Sequence, residues 1–256
     1  MKKTLLQINC SSKGSTGTIM RALSETAEKN GMASYMICAK DSWDASLGDN
    51  FFGIGNPIEQ GAQRKFNKFA GRYGKGFPLA TRELLTYLDR IQPDIIHLHN
   101  LHHQFFDMET LFRYLKEHKV KIVWTLHDCW ALTGHCAHYD AAGCEEWKTG
   151  CRKCEHLDAY PVIYRDTAGQ LYSQKKAMLG DGLDLHIVTP SEWLARQVEQ
   201  SYLSHYPVKV IHNGIDLNVF KPTMGTFREK YGLQGKKILL GVAFEWGPKK
   251  GLDVFL

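Results

Sequence analysis

The 256-residue sequence predicts an α/β protein built on a doubly wound parallel sheet. Two observations predict it. Short apolar runs of strand length alternate with segments whose apolar residues recur at helical spacing, and turn or capping residues separate them. Residues 4–8 read as the first strand, 17–29 as a helix and 33–38 as the second strand. In 81–91, Leu84, Leu85, Leu88 and Ile91 share one helix face. The Pro93-Asp94 turn leads into a short buried strand at 95–99. Asp107 is placed to cap a helix that carries Leu111, Phe112 and Leu115 on one side. Residues 120–126 and 185–189 read as strands, Ser191 as the cap of a helix over 192–201, and 208–211 as the next strand. Asn213-Gly214 and Lys221-Pro222 mark turns, after which 238–242 reads as the first strand of a new sheet.

Composition narrows the function classes. A chain that is 43% hydrophobic and 11% aromatic has ample material for a core. No window approaches the 18 or so uninterrupted apolar residues of a spanning helix. Met1-Lys2-Lys3 opens a basic and then apolar start, but Gln7 and Asn9 cut it below signal-peptide length, so a cytoplasmic protein is expected. The net charge of +5 does not by itself point to nucleic acid. Its distribution says more: 60–80 carry Arg64, Lys65, Lys68, Arg72 and Lys75 without an acidic residue, interleaved with Phe66, Phe69, Tyr73 and Phe77. That mixture suits a membrane surface or a polyanion; a solvated helix face is the alternative.

Ligands of parallel sheets sit beyond the carboxyl ends of strands, which directs attention to the loops at 9–17, 99–103, 127–134 and 213–216. In the first loop, which includes Gly14-Ser15-Thr16-Gly17, the two glycines permit close backbone approach, and the helix that follows favours an anion such as a diphosphate. The loop fits neither a Gly-x-Gly-x-x-Gly nor a Walker pattern, and a plain strand-to-helix turn is the alternative. His97 and His99 point to one face of their strand, with His102 and His103 in the loop beyond. No carboxylate or thiol nearby completes a metal set, so His99 and Asn100 read either as ligand-facing or as simple polar packing. His127, first past an apolar strand and followed by Asp128, is suited to bond a substrate hydroxyl or phosphate; a capped strand end is the alternative.

Seven cysteines in a cytoplasmic chain argue against disulfides. Cys136, Cys144, Cys151 and Cys154 fall within 19 residues, and only the last pair has knuckle spacing. A structural zinc bound by four thiolates, with His135 and His138 in reserve, would hold a long loop that carries little apolar content. Four free thiols are the alternative.

Several segments in order resemble a known family. They are the stretch from Pro93 to His102, the stretch from Trp124 to Cys136, Trp147-Lys148-Thr149-Gly150-Cys151, Thr189-Pro190-Ser191-Glu192-Trp193-Leu194, and His212-Asn213-Gly214-Ile215-Asp216. Together they resemble family four of the retaining glycosyltransferases, closest to its colanic-acid and capsular-polysaccharide branch, across essentially the whole chain. The resemblance implies a GT-B architecture of two Rossmann-like domains. Residues 1–215 would form the amino-terminal acceptor domain, and 216–256 the linker and start of the nucleotide-sugar-binding domain.

It also implies transfer of a sugar from a UDP- or GDP-linked donor to an acceptor hydroxyl with retention, without a catalytic metal, in surface-polysaccharide assembly. By motif, 14–17 approach the donor diphosphate, His127 with Asp128 serves the transferred sugar, and Lys250 neutralises the leaving diphosphate. His99 and Asn100 fall on the acceptor side. Arg64, Lys65, Phe66, Lys68, Phe69 and Arg72 then read as a face toward an anionic membrane carrying a lipid-linked saccharide acceptor, on the inner side of the cell membrane. Two departures stand out. Glu245 occupies the place of a family Arg, and the family's paired glutamates fall beyond Leu256. The chain therefore reads as truncated and is not expected to turn over alone. A docking module without catalysis and a sugar-nucleotide epimerase are the competing functions.

Overall fold

A computed structural model describes residues 2–243, 246–247 and 250–256; Glu245 lies outside them. The chain divides into two compact units, Met1–Asn213 and Gly214–Leu256.

The first unit is a seven-stranded, wholly parallel sheet: β1 (Thr4–Ile8), β2 (Ala33–Ala39), β3 (Phe51–Ile54), β4 (Ile95–Leu98), β5 (Lys121–Thr125), β6 (Asp184–Thr189) and β7 (Val208–Val210). The spatial order is β3-β2-β1-β4-β5-β6-β7. Chain order reverses between β1 and β4, which makes the carboxyl ends of those strands the switch point where α/β sheets bind ligands. The helices are α1 (Gly14–Lys29), α2 (Pro57–Ala70), α3 (Pro78–Ile91), α4 (Met108–Glu117), α5 (Ala168–Met178) and α6 (Glu192–Glu199).

Strand pleating sorts the side chains. Leu6, Ile8, Ile37, Ile96, Leu98, Ile122, Trp124, Leu185 and Ile187 bury one face against Leu84 and Leu88 of α3, Leu111, Phe112 and Leu115 of α4, and Leu194 and Val198 of α6. Each such side chain contributes on the order of 1.5–3 kcal/mol. The opposite face packs Met20 of α1 on Met36, Cys38 and Phe51. The caps fall where the sequence puts them: Asp107 accepts from the Thr110 amide at 3.0 Å, and Ser191 from the Leu194 amide at 3.3 Å.

Three elements escape the hydrophobic pattern. β3 is four residues long and contains Gly53, where a Cβ would lie 2.6 Å from the Trp43 side chain. In α2 the apolar Ile58, Phe66 and Phe69 face solvent, while Gln60 and Asn67 are buried. The buried positions of α5 include Lys175. One predicted element is absent: 238–242 forms no strand, and Leu239 and Leu240 are 87% and 81% exposed. A lone strand has no neighbour to complete its hydrogen bonds. In this unit, α7 (Phe227–Lys230) and α8 (Leu252–Phe255) are four residues each. Among the described residues no helix is long and apolar enough to cross a membrane.

Candidate functional site

The site is built at the carboxyl ends of β1, β4 and β5. Gln7 and Asn9, His97 and His99, and Thr125 and His127 occupy alternate positions, so all project from the face that bears α1. Asn9, fully buried, ties the loops together. Its amide donates to the Ser11 carbonyl at 2.9 Å and to Thr16 Oγ1 at 3.1 Å, and its oxygen accepts from the backbone of Cys10 at 3.0 Å and Asn100 at 3.2 Å. The predicted glycine loop and the predicted Asn100 are thereby brought beside each other.

The glycine loop proves to be the first turn of α1. Lys13 at the N-cap makes no side-chain capping bond, which leaves amides of the first turn without the usual partner. Gly17 is required sterically: a Cβ there would lie 2.3 Å from the Ser12 carbonyl carbon, so only glycine lets the helix close on its own entry loop.

The histidines form a packed stack. The rings of His97 and His99 lie 4.3 Å apart, and those of His99 and His127 lie 5.4 Å apart. His97 Nε2 meets Thr125 Oγ1 at 2.8 Å. Burial, reinforced by the neighbouring His127, pushes His97 down to about 4. Burial and the two flanking imidazoles hold His99 well below the usual histidine range. Burial also lowers His127, with Asp128 opposing it. His99 is 1% exposed and both its ring nitrogens are engaged, so it meets a ligand only through His127, which is half-buried.

Asp128 does not pair with His127. Its Oδ2 lies 3.0 Å from His102 Nε2, and its Oδ1 accepts from the Trp130 amide at 2.9 Å. Burial works to raise this carboxyl, but the His102 bond and charge and the Trp130 amide outweigh it and keep it below the ordinary range. Asp128 thus organises the loops after β4 and β5, with the Tyr160 hydroxyl 3.4 Å from the other nitrogen of His102.

The long loop after β5 is not poor in core contacts, contrary to the sequence reading. Trp130, Leu132, Ala137, Tyr139, Trp147 and Ile163 are all buried in it. Lys175 of α5, 6% exposed, reaches in to donate to the Trp130 carbonyl, its Nζ 4.0 Å from the centroid of that indole. Burial pushes this amine down to about 7.

Cys136, Cys144, Cys151 and Cys154 do line one small cavity with His135. His135 Nε2 lies 3.3 Å from Cys154 Sγ, and Cys151 Sγ accepts from the Gly134 amide at 3.2 Å. Among the described residues, however, no group of three or more His, Cys, Asp or Glu is arranged to hold a metal ion. Burial raises the Cys151 thiol to about 12 and raises Cys136 and Cys154 as well. The four-thiolate zinc is therefore not supported, and the loop that was to need it is fastened by its aromatic core.

The basic aromatic stretch is only partly a surface. Arg64 turns inward, pairing with Asp41 at 2.5 Å and donating through Nε to the Gln104 carbonyl at 3.1 Å; Lys75 pairs with Glu109 at 3.1 Å. Lys65, Phe66, Phe69 and Arg72 are exposed, and Lys68 lies 4.7 Å from the centroid of the Tyr164 ring. Lys250, in the second unit, is exposed. Gln7, Asn9, Tyr160 and Lys175 were not singled out by sequence. For the first two a signal existed, since they interrupt an apolar strand at a spacing of two.

The pattern of Glycosyltransferase Family 4 matches residues 16–219. WcaC of Escherichia coli (strain K12), named as a colanic acid biosynthesis glycosyl transferase, is 39% identical over 132 residues, 49% of this chain and 32% of that protein. YtcC of Bacillus subtilis (strain 168), named as a glycosyltransferase, is 27% identical over 145 residues, 44% of this chain and 34% of that protein. The matched stretches thus span about a third of each curated relative. Among solved structures, sucrose-phosphate synthase from Thermosynechococcus elongatus superimposes with a TM-score of 0.56 at 12% identity, over 91% of this chain and 53% of that one, a likeness of fold.

Proposed function

Because the chain belongs to glycosyltransferase family 4, we propose that it acts in transferring a sugar from a nucleotide-sugar donor to an acceptor hydroxyl, with retention, in surface-polysaccharide assembly. The observation that carries this reading is the convergence, through Asn9, of the uncapped first turn of α1 with the β4 and β5 ends that present Asn100 and His127. Open amides at a helix start favour phosphate oxygens. A neutral imidazole beside them bonds a sugar hydroxyl. In this reading 14–17 face the donor diphosphate and Asn100 stands on the acceptor side.

We further propose that the exposed face of α2 meets an anionic membrane, where a lipid-linked acceptor would reside. Ile58, Phe66 and Phe69 are 83%, 54% and 68% exposed and, with Lys65, fall on one helix face. Lys65, Lys68 and Arg72 add about 1 kcal/mol each near anionic headgroups. Arg64 has no part in this, being committed to Asp41.

Thermal shift against UDP- and GDP-linked sugars, followed by transfer to polyprenyl-diphosphate saccharides, tests the first proposal. In a protein that carries this chain together with a nucleotide-sugar-binding domain, donor binding with acceptor-dependent release of the nucleotide is expected. Consumption of the sugar nucleotide without acceptor would turn the reading toward an epimerase. Sedimentation with phosphatidylglycerol vesicles tests the second: binding should be lost when Lys65, Lys68 and Arg72 are changed to Gln, and binding equal on neutral lipid would overturn it.

A further inference from the structure

The hydrogen-bond chain behind His127 permits only one arrangement of its protons. Gln7 is fully buried in β1, and its carboxamide has a forced orientation: Nε2 donates to the Met20 carbonyl at 2.9 Å, a group that can only accept. Oε1 is therefore the atom that faces His99 Nε2 at 3.2 Å, so that nitrogen must carry a hydrogen. A neutral imidazole has one N–H, which leaves His99 Nδ1 bare. Its partner at 3.1 Å is His127 Nε2, which must then be the donor. The backbone of His99 is held on both sides, its amide donating to the Ile8 carbonyl at 2.9 Å and its carbonyl accepting from Trp124 Nε1 at 2.8 Å, and its buried ring is stacked by His97. The remaining nitrogen, His127 Nδ1, has no hydrogen-bond partner among the described residues and is not one of the buried unpartnered atoms.

We infer that Gln7 and His99 are positioning residues that fix His127 as its Nε2–H tautomer and present Nδ1 as a bare lone pair past the carboxyl end of β5, beside the switch point of the sheet. The group received there is a hydrogen-bond donor. A sugar hydroxyl fits; a carboxylate or an ionised phosphate oxygen does not. Burial, which keeps both imidazoles below the usual range, supports the neutral state the chain requires. The inference rests on the reading that His127 faces the ligand, and it names the chemistry that His127 selects.

The test is made on the ligand-free full chain labelled with 15N-histidine. Long-range proton–nitrogen correlation distinguishes the protonated from the bare nitrogen of each ring, with His99 and His127 assigned by loss of their signals in His99→Gln and His127→Gln. Both rings should show the pure Nε2–H pattern. Gln7→Met, which keeps the volume and removes the acceptor, should convert the single pattern of His99 into a mixture and carry His127 with it. Gln7→Glu, whose protonated carboxyl can donate to the Met20 carbonyl and accept from His99, should return His99 to Nε2–H. A wild-type His127 protonated on Nδ1, or spectra of Gln7→Met unchanged from wild type in a folded protein, would overturn the relay. No substrate is involved, so this outcome is independent of the transfer assay. A pure tautomer pattern together with unimpaired transfer by His127→Ala would keep the relay and remove its role at the ligand.

Discussion

Two regions of this molecule concentrate ligand-type side chains, and they reach opposite ends. At the carboxyl ends of β1, β4 and β5, Gln7, His99 and His127 bond to one another in a line that stops at an open nitrogen. In the loop after β5, four cysteines and a histidine share a cavity but sit among Tyr139 and Trp147, and burial pushes the thiols of Cys136, Cys151 and Cys154 toward the protonated state. The difference is backbone. Strand pleating aims every second side chain at one place, and a parallel sheet leaves its strand ends free of covering structure. A loop has no such period, so its side chains go wherever apolar burial draws them. Density of ligating residues along a sequence is therefore a weaker sign of a site than their period.

That contrast can be broken at several points. The largest expected effect is in the loop: Trp147→Ala, at a position 1% exposed, should cost about 3–5 kcal/mol in urea unfolding. A loss below about 1 kcal/mol would mean that the indole does not fasten the loop. Next, in a full-length version that includes the nucleotide-sugar-binding domain, His127→Ala should lower sugar transfer about 10²–10³-fold, the range for removing one aligned polar group, with the unfolding midpoint little changed. Equal loss of stability and activity would place His127 with the packed residues instead.

Lys175 gives a graded effect. Its amine titrates near 7 when folded and near the ordinary 10.4 when unfolded, so between those values the unfolded chain binds more protons. Stability should therefore rise with pH over this window, by up to about 1.4 kcal/mol per pH unit, and hold level below it. Lys175→Met should flatten that rise; unfolding curves at pH 7, 8 and 9 measure it. The smallest effect is expected from chelation. If aromatic burial holds the loop, EDTA should leave the melting temperature where it was. A drop of several degrees, with zinc released, would make the cysteines a site after all and erase the contrast.

Much of the fold was legible in the residues. The alternation of apolar runs with amphipathic helices specified a parallel sheet, because each element must bury a face with its own period. Asp107 and Ser191 marked their helix starts through a short-range bond that needs no tertiary context. His97 and His99 were assigned to one face from strand geometry alone, and their rings stack. What failed did so for lack of such local signals. α2 has its apolar residues outward, and 238–242, strand-like in composition, has no neighbour to pair with.

By itself, then, the sequence determined the sheet apart from β3, its caps and the strand ends where chemistry belongs, since period and capping are local properties of the chain. Only the tertiary structure decided which groups work together. It took Arg64 from the surface to Asp41, gave Asp128 to His102, and buried His99 behind His127. Each of those partners lies 20 or more residues away in sequence, a separation that no pattern along the chain encodes and that packing alone closes.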